Sequence, residues 1–300
     1  MFNGKRFNSI DNYYKARFGV KVYKLALNIG ATCPNRDGSK GYGGCKFCSG
    51  VGSGEFAKLS DQITEAIELL KDKATGVYIA YFQSFSNTYM SVNKLNSYVS
   101  SVLADSRIVG ISIATRADCI SGDMLNYLTE LNKKTHLVME LGLQTINDNV
   151  NELLNRQTSY NEFKETFKCL KERNIKICVH IMDSLPNESK ENMLATAKAV
   201  SEMRPHSVKI HMLNVLKGTV LAEEYNSKLF ELFSMTAYIE VLIMQLRIMN
   251  SEIYIERVTG DGDRISLIEP KWVLNKRYFL NELNKKMKQL NCLQGDLFNE

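Results

Sequence analysis

The stretch Cys33-Pro34-Asn35-Arg36-Asp37-Gly38-Ser39-Lys40-Gly41-Tyr42-Gly43-Gly44-Cys45-Lys46-Phe47-Cys48 places three cysteines at the spacing Cys-x11-Cys-x2-Cys. Three thiolates can bind three irons of a [4Fe–4S] cluster and leave the fourth iron without a protein ligand. A substrate can coordinate at such an open position. Seven of the 17 residues from Gly38 to Gly54 are glycine, which lets backbone N–H groups approach cluster sulfides. The sequence therefore predicts a cluster-binding loop with Cys33, Cys45 and Cys48 as ligands.

A structural zinc site is the alternative interpretation of these cysteines. Zinc in such sites has four protein ligands, yet the loop contains no fourth Cys or His and the nearest histidine is His136. The remaining cysteines are too scattered for a second cluster; they are Cys119, Cys169, Cys178 and Cys292. An odd number of cysteines in a long chain also argues against a disulfide framework.

The composition is that of an ordinary globular protein. Of 300 residues, 44% are hydrophobic and 24% are charged, which excludes a disordered or fibrous chain. No run approaches 18 consecutive apolar residues, and the N-terminus has no apolar run typical of a secretory signal. We therefore expect a cytoplasmic protein with no membrane span.

Outside the loop, short apolar runs alternate with longer amphipathic ones. The predicted strands are Val20–Leu27, Gly76–Phe82, Val109–Ala114, Leu137–Leu143, Ile175–Met182 and Val208–Leu213. The predicted helices are Ser60–Lys73, Ser91–Asp105, Ser121–Lys133, Tyr160–Arg173 and Glu188–Met203. This alternation is typical of parallel βα units in an α/β fold. Six strands are too few for an eight-stranded closed barrel, which leaves a partial barrel or an open sheet.

The alternation stops after Leu213. Residues 219–250 are predicted to be helical, Ser251–Val258 to be a strand, and residues 271–290 to be a long basic helix. We expect residues 1–215 to form the core with a basic N-terminal extension. Residues 216–300 would form a smaller extension laid against that core.

The net charge of +5 is concentrated at the two ends of the chain. Residues 1–24 and 271–290 each carry six basic residues against one acidic residue. Aromatic residues accompany these charges: Phe2, Phe7, Tyr13, Tyr14, Phe18, Tyr23, Trp272, Tyr278 and Phe279. Since basic groups neutralise phosphates and aromatic rings stack on bases, nucleic acid is one candidate partner. The alternative is a solvated basic face whose aromatics belong to the core.

The basic helix is predicted to have two sides. Arg277, Lys285 and Lys288 fall on one stripe at helical spacing, and Lys276 and Lys286 flank it. The packed side would consist of Trp272, Val273, Phe279, Leu280, Leu283, Met287 and Leu290.

The cysteine loop resembles that of the radical SAM superfamily, in which S-adenosylmethionine (SAM) chelates the open iron of the cluster. Most of that family has Cys-x3-Cys-x2-Cys with an aromatic residue before the last cysteine, and Phe47 matches the aromatic. The longer gap resembles the YhcC/YtqA-like radical SAM proteins of bacteria. Four further stretches resemble the same subfamily: Thr115–Cys119, Glu140–Thr145, Lys209–Thr219 and Arg257–Asp261.

The resemblance implies a partial (βα)6 barrel core with a small α+β C-terminal extension. It implies reductive cleavage of SAM to a 5′-deoxyadenosyl radical that removes a hydrogen atom from substrate, and an electron donor such as flavodoxin or ferredoxin. The C-terminal part resembles the one that follows the radical SAM core in the elongator catalytic subunit. The YtqA-like branch is linked to tRNA wobble-uridine maturation, from carboxymethylaminomethyl-uridine toward aminomethyl-uridine. A radical SAM enzyme acting on a small metabolite and a non-catalytic iron–sulfur redox protein are the alternatives.

Parallel α/β sheets bind ligands at the carboxyl ends of their strands, so residues there are candidates for binding SAM. Together with Phe47, the predicted SAM-binding residues are Tyr81, Phe82, Gln83, Glu140, Gln144, Arg156, His180, Val215 and Leu216. By resemblance, the backbone carbonyls of residues 81–83 receive the methionine amino group. Val215 and Leu216 would meet the adenine through backbone groups.

Four of these side chains have particular expectations. By resemblance, Gln144 binds the SAM ribose and Arg156 pairs with the SAM carboxylate, with a solvated surface position as the alternative for Arg156. His180 either faces the ribose or is a hydrogen-bonded core histidine. Glu140 stands within an apolar run and needs a partner, either a ribose hydroxyl or a buried Arg or Lys. Where the subfamily usually has Gly-Leu-Pro-Gly beside His180, this chain has Ser184-Leu185-Pro186-Asn187.

Overall fold

The computed structural model describes residues 2–49, 62–260, 262 and 264–298. Its strands are β1 (Tyr23–Leu27), β2 (Tyr78–Phe82), β3 (Ile108–Thr115), β4 (His136–Gln144), β5 (Lys176–Asp183), β6 (Ser207–Met212), β7 (Val215–Leu216), β8 (Tyr254–Arg257) and β9 (Leu267–Glu269). Its α-helices are α1 (Ile10–Phe18), α2 (Gln62–Glu68), α3 (Val92–Leu103), α4 (Gly122–Lys134), α5 (Asp148–Leu153), α6 (Tyr160–Glu172), α7 (Lys190–Met203), α8 (Val220–Asn226), α9 (Met235–Ile248) and α10 (Lys276–Gln289).

Seven parallel strands form the main sheet, in the order β1-β2-β3-β4-β5-β6-β8, and the sheet is curled into a half barrel. This confirms the predicted α/β partial barrel. The prediction of six core strands was one short, because β8 pairs with β6 through Ser207↔Tyr254 and Lys209↔Arg257 instead of packing beside the core. The sequence alone could not place β8 in the sheet, because β8 pairs with β6 and the two strands are separated along the chain by the helices α8 and α9. The division of the chain at residue 215 stays a prediction.

Serine residues begin five of the helices, as their hydroxyl oxygens accept hydrogen bonds from backbone N–H groups of the first turn. The capping serines are Ser91, Ser121, Ser159, Ser189 and Ser234. The predicted start of the second helix at Ser60 lies outside the described residues, as do the glycines from Gly50 to Gly54. Within the described ranges, every helix is too short or too polar to cross a membrane.

The N-terminal segment closes the bottom of the half barrel. Tyr13 of α1 contacts His206 with ring centroids 4.6 Å apart and Tyr254 at 5.3 Å, and Tyr14 is 2% exposed. Asn8 adds to the edge of the sheet, since its carbonyl accepts a 2.6 Å hydrogen bond from Ile255 N. Tyr13 and Tyr14 therefore belong to the packing of the barrel, which is the alternative interpretation of the aromatics at the basic ends.

The C-terminal helix has the two sides that its sequence predicts. Phe279 is fully buried and stacks on Trp272 with centroids 5.3 Å apart, while Leu283 and Met287 continue the packed side. Leu290 was expected there but is 53% exposed, because α10 ends at Gln289. The five basic side chains of α10 are exposed; they are Lys276, Arg277, Lys285, Lys286 and Lys288.

The buried carboxyl of Asp183, at the end of β5, makes stability depend on pH. Gln245 Nε2 donates a 2.7 Å hydrogen bond to one oxygen, and burial raises the pKa of Asp183 to about 8. The folded state therefore holds this proton more tightly than the unfolded chain, so the stability that it contributes is present at acidic pH. That contribution is lost as the pH rises through about 8.

We predict that the free energy of unfolding falls between pH 5 and 8, and that Asp183→Asn makes this fall shallower by up to about 1.4 kcal/mol per pH unit. Anaerobic urea denaturation at several pH values measures it. Glu188, whose pKa burial raises to about 7, supplies the residual slope. The exposed Asp72→Asn is the control and should leave the slope as it is. Equal slopes for Asp183→Asn and wild type would contradict the prediction.

Candidate active site

A cavity of about 320 Å³ lies at the carboxyl ends of the strands. Cys33, Cys45 and Cys48 all line it. The other walls come from the ends of β2 to β6 and β8, and from the segment joining β6 to β7. The cavity thus brings the cysteine loop against the strand ends, as the parallel arrangement predicts.

The cysteine loop keeps its shape through hydrogen bonds to the segment after α5. Asn155 donates to the carbonyl of Gly44 at 2.9 Å, and Lys46 N donates to Leu154 O at 3.1 Å. Asn35 is fully buried beneath the loop and donates to Asn155 O. A Cβ at Gly41 would collide with the Asn35 side chain, so this glycine is required by a close approach.

The electrostatics of the cysteine loop favour thiolate at Cys45. A hydrogen bond from Cys48 lowers the pKa of Cys45 to about 6, although burial opposes this, and the charges of Arg156 and Arg116 lower it further. The pKa of Cys48, the donor, is raised in turn. Asn35 Nδ2 also lies 3.7 Å from Cys45 Sγ. Thiolate is the form that ligates metal, so the surroundings of Cys45 suit metal binding.

These residues fit a [4Fe–4S] cluster with an open iron and a SAM molecule beside it. Three thiols face the cavity, and the described lining residues include no fourth cysteine. His136, the nearest histidine in the sequence, lies away from the cavity, with Tyr13 and Phe18 at the bottom of the barrel. Three thiols without a fourth closed ligand match the cluster better than structural zinc.

Eight of the ten predicted SAM-binding residues line this cavity: Phe47, Tyr81, Gln83, Glu140, Gln144, Arg156, His180 and Leu216. Phe82 and Val215 do not. The side chain of Phe82 packs in the core, and its carbonyl accepts a 2.9 Å hydrogen bond from Asn87. Val215 is buried in β7, which pairs with Glu269 of β9.

Gln144 and Arg156 carry buried polar atoms without a partner in the described structure: Gln144 Oε1 and Arg156 Nε. The guanidinium of Arg156 is 4% exposed and donates to Gly142 O at 2.9 Å, which excludes the solvated surface position. Gln144 has a φ of 68°, a left-handed backbone that costs a glutamine free energy. Unsatisfied polar atoms and backbone strain both indicate a ligand at this wall of the cavity.

Glu140 lies at the centre of a charge network in the barrel interior. Its carboxylate accepts hydrogen bonds from Lys24 Nζ at 2.7 Å, from His180 Nε2 at 2.7 Å and from Lys209. Lys24 also reaches Glu256 on β8, at 2.6 Å. The partners of Glu140 are thus buried lysines, one of the two alternatives that its place in an apolar run allowed. Lys24 belongs to this network and not to the basic surface expected of residues 1–24.

The lysines decide the ionisation of this network. Burial alone would raise the pKa of Glu140, yet the charges of Lys209 and Lys24 outweigh it and hold the pKa well below its usual value. Burial lowers the pKa of His180, so its ring is neutral at pH 7 and donates one hydrogen bond to Glu140. His180 is therefore a hydrogen-bonded core histidine that also lines the cavity.

Sequence reasoning assigned no role to several charged residues of the site. Arg116 lines the cavity, pairs with Asp118 and donates to Arg156 O at 2.7 Å, which orders the segment after α5. Arg257 also lines the cavity, from the end of β8. Both stand in stretches quoted for the family resemblance. Lys209 could have been found by the argument that singled out Glu140, since it too is a charge inside an apolar strand.

Two residues of the loop after His180 stand where the subfamily usually has glycine, and both have a left-handed backbone. Ser184 has a φ of 64° and Asn187 a φ of 59°, values that glycine adopts without strain. Ser184 Oγ accepts a 3.1 Å hydrogen bond from Phe233 N. Asparagine tolerates this region better than most residues. The chain therefore forms the turn without the two glycines.

Replacing Glu140 with Gln should lower the free energy of unfolding by about 3–5 kcal/mol, because it leaves two buried lysines with one carboxylate. The matched control is Glu130→Gln, which removes an exposed carboxylate paired with Lys133 at 2.6 Å and should cost less than about 0.5 kcal/mol. Anaerobic urea denaturation compares the two variants. Equal losses would mean that the buried network does not stabilise the fold.

Comparison with known proteins gives family matches over most of the chain. Residues 27–200 match the model of the Radical SAM superfamily, and residues 205–289 match the Radical_SAM C-terminal domain. YtqA of Bacillus subtilis (strain 168) is 41% identical over 300 residues, covering 98% of this chain and 93% of YtqA. YhcC of Escherichia coli (strain K12) is 31% identical over 279 residues, covering 91% of this chain and 89% of YhcC.

More distant matches cover part of a longer protein. A tRNA uridine(34) acetyltransferase of Methanocaldococcus infernus is 27% identical over 161 residues, 53% of this chain and 30% of that protein. The structure of archaeal Methanocaldococcus infernus Elp3, lacking its N-terminus, has a TM-score of 0.68 at 19% identity and covers 91% of this chain and 64% of that chain, a likeness of fold. A family model matches residues 27–200, and a relative is 41% identical along nearly the whole length of this chain. This chain therefore belongs to the radical SAM superfamily, whose enzymes use a [4Fe–4S] cluster and SAM.

Proposed function

We propose that this radical SAM enzyme modifies the wobble-uridine side chain of tRNA, converting carboxymethylaminomethyl-uridine toward aminomethyl-uridine. The observation that carries the tRNA proposal is α10, which exposes five basic side chains on a helix whose apolar side is buried in the core. Family membership sets aside two alternatives considered from the sequence, the structural zinc site and the non-catalytic redox protein. A small-metabolite substrate is the remaining competitor, and the experiments below distinguish it.

The cysteine end of the cavity would hold both cofactors. Cys33, Cys45 and Cys48 would ligate the cluster. Arg156, with an unpartnered buried Nε, suits the SAM carboxylate, and Gln144, with an unpartnered Oε1, suits a ribose hydroxyl. When bound, the two groups supply one-electron chemistry that can remove a hydrogen atom from an unactivated carbon.

This chain's own residues position the cofactors and exclude water. Gly142 lines the cavity, and its lack of a side chain leaves room for Gln144, since a Cβ there would lie 3.0 Å from Gln144 Nε2. Tyr81 also lines the cavity, and the centroid of its ring lies 4.4 Å from Lys209 Nζ. Cys33 and Tyr81 are 9% and 8% exposed, so this part of the cavity is shielded from solvent, whereas Cys45 and Cys48 are half-buried.

The rim of the cavity offers further basic groups for an RNA backbone. Lys217, Arg264 and Lys271 are exposed on or beside the small sheet of β7 and β9. Leu216 of β7 lines the cavity, so this sheet lies at its edge. Phosphate contacts orient an RNA without reading its sequence, which suits a rim that presents a single nucleoside to the cavity.

A distant relative supports the same substrate class. About half of this chain matches the tRNA uridine(34) acetyltransferase, and the name of that protein refers to position 34 of tRNA. Radical SAM enzymes also need an electron donor, and we propose a flavodoxin or a ferredoxin for this one. The proposed setting is the cytoplasm, where tRNA and these donors are present.

Anaerobically reconstituted protein should hold about four irons per chain, and replacing Cys33, Cys45 or Cys48 with Ala should abolish binding of an intact cluster. Iron analysis and the broad visible absorption of the cluster measure it. Cys169→Ala and Cys292→Ala are the matched controls, because neither thiol lines the cavity. A Cys45→Ala protein with full iron content would exclude this cluster assignment.

Reversing Lys285, Lys286 and Lys288 to Glu should weaken tRNA binding and flatten its salt dependence by about one unit of slope for each phosphate that is no longer neutralised. Filter binding across a salt series measures both quantities. The control reverses Lys94, Lys164 and Lys168, three exposed lysines on α3 and α6. If the two triple variants bind tRNA alike, α10 is not the RNA-binding surface.

The reaction itself is tested by incubating the reduced enzyme with SAM and tRNA from a strain that lacks the protein. Nucleoside mass analysis should show carboxymethylaminomethyl-uridine decreasing and aminomethyl-uridine increasing. Unchanged nucleosides together with SAM cleavage stimulated by a small-molecule extract would favour the metabolite alternative.

A further inference from the structure

Two polar residues on the cavity wall, close together along the chain, have no role in the proposed function. His211 is a residue of β6, and Asn214 follows two residues after that strand ends. Both line the cavity. They belong to Lys209–Thr219, one of the stretches quoted for the family resemblance.

Each of these residues has a buried polar atom without a hydrogen-bond partner in the described part of the chain. The two atoms are His211 Nε2 and Asn214 Oδ1. The amide nitrogen of Asn214 lies beside the backbone after β8, since a Cβ at Gly260 would be 3.0 Å from Asn214 Nδ2. The oxygen is therefore the end of the amide that is left without a partner. Buried polar groups are rarely unpaired, so a ligand with complementary groups is expected here.

The surroundings of His211 keep its ring uncharged. The ring centroids of His211 and His180 are 5.4 Å apart. Burial holds the pKa of His211 well below its usual value, and His180 and Arg257 lower it further. A neutral imidazole has one nitrogen that donates a hydrogen bond and one that accepts. His211 Nε2 can therefore serve an uncharged ligand as a donor, in the tautomer that carries its hydrogen on Nε2.

The two unpartnered atoms require a ligand with one N–H group and one acceptor. Asn214 Oδ1 only accepts hydrogen bonds, so the group facing it must be a donor. That donor has no carboxylate to pair with, because the one acidic side chain among the described lining residues, Glu140, is held by Lys24 and Lys209. An uncharged N–H therefore fits this wall better than an ammonium group.

Two atoms on one wall also restrict the shape of the ligand. The N–H and C=O groups of an open-chain trans amide point in opposite directions, so one wall cannot bind both. In a cyclic amide or imide the two groups are neighbours on the same edge of the ring. Uracil has such an edge, with N3–H between two carbonyls, whereas the corresponding nitrogen of cytosine carries no hydrogen. Proteins that bind unstacked bases form hydrogen bonds with this edge.

We propose that Asn214 and His211 form a subsite that binds the imide edge of a uracil base. Asn214 Oδ1 accepts the hydrogen bond of N3–H, and His211 Nε2 donates to the C2 carbonyl. In the uracil ring C5 lies directly opposite C2, so a substituent on C5 points away from this wall and across the cavity. This inference rests on the proposed function and deepens it, because it names the residues that recognise the base itself.

The subsite is tested with free uridine as the probe, on the anaerobic, cluster-loaded protein with SAM bound. Ligand-observed NMR titration should show binding of uridine to wild type. 3-Methyluridine, in which a methyl group replaces the N3 hydrogen, should bind about tenfold more weakly, and so should cytidine. This comparison uses only wild-type protein, so it holds even if a variant fails to fold.

Asn214→Leu removes the acceptor at similar volume and should lower the affinity for uridine to that of 3-methyluridine. His211→Phe should also weaken uridine binding, whereas His211→Gln keeps a donor and should retain part of the affinity. The matched control is Asn93→Leu, an exposed position on α3, which should bind uridine like wild type. Iron content and the thermal midpoint establish that each variant is folded.

Three results would overturn the subsite: no binding of uridine to wild type, equal affinity for uridine and 3-methyluridine, or equal binding of uridine by Asn214→Leu and wild type. A loss of SAM affinity in Asn214→Leu as large as its loss of uridine affinity would also overturn it, by assigning Asn214 to SAM.

A parallel arm separates this subsite from the proposed function. With tRNA carrying carboxymethylaminomethyl-uridine, Asn214→Leu should raise KM by about the same factor as it raises the Kd of uridine. If uridine binds through Asn214 while no tRNA nucleoside changes, the subsite stands and the tRNA function fails. If tRNA is modified equally well by wild type and Asn214→Leu, the function stands and the subsite fails.

Discussion

The ion pair between Lys24 and Glu256 joins the two edges of the half barrel across its open side. Lys24 lies on β1 and Glu256 on β8, the two edge strands of the sheet, and they meet at 2.6 Å inside the barrel. Glu140, on the middle strand β4, bonds to the same lysine, so one cation joins both edges to the centre. A buried pair of this kind gains little net free energy over apolar packing, but losing one partner is costly. The network therefore acts mainly to fix which strands face each other.

The upper surface of this network forms the floor of the cavity. His180 and Lys209 each bond to Glu140 and also line the cavity, so the position of the floor depends on the charges beneath it. The cysteine loop is held from the other side by Asn35 and Asn155. Two independent sets of polar contacts thus define the space between the cysteines and the strand ends, and hydrogen bonds of this kind restrict side-chain motion.

Arginine side chains line the cavity on two different parts of its wall. The charges of Arg156 and Arg116 lower the pKa of Cys45, whereas the charge of Arg257 lowers the pKa of His211 on β6. A radical enzyme must keep its cofactors and its substrate in separate but adjacent places, because the reactive carbon has to lie next to the cofactor without displacing it. The cavity extends from the cysteines to the wall formed by β6 and β8, so it offers two such adjacent places.

The sequence by itself determined the cysteine loop, the α/β class and most strand positions, because these depend on local spacing and on the alternation of apolar residues. It also singled out Glu140, since a charge in an apolar run must have a partner. Only the tertiary structure decided which partner, because Lys24 lies 116 residues away along the chain and Lys209 lies 69 away. The same holds for β8, whose place in the sheet follows from pairing with β6 and not from its own four residues. Local patterns specify elements, but the closure of a curved sheet is a long-range property, and so the residues that meet inside the barrel are decided by the fold as a whole.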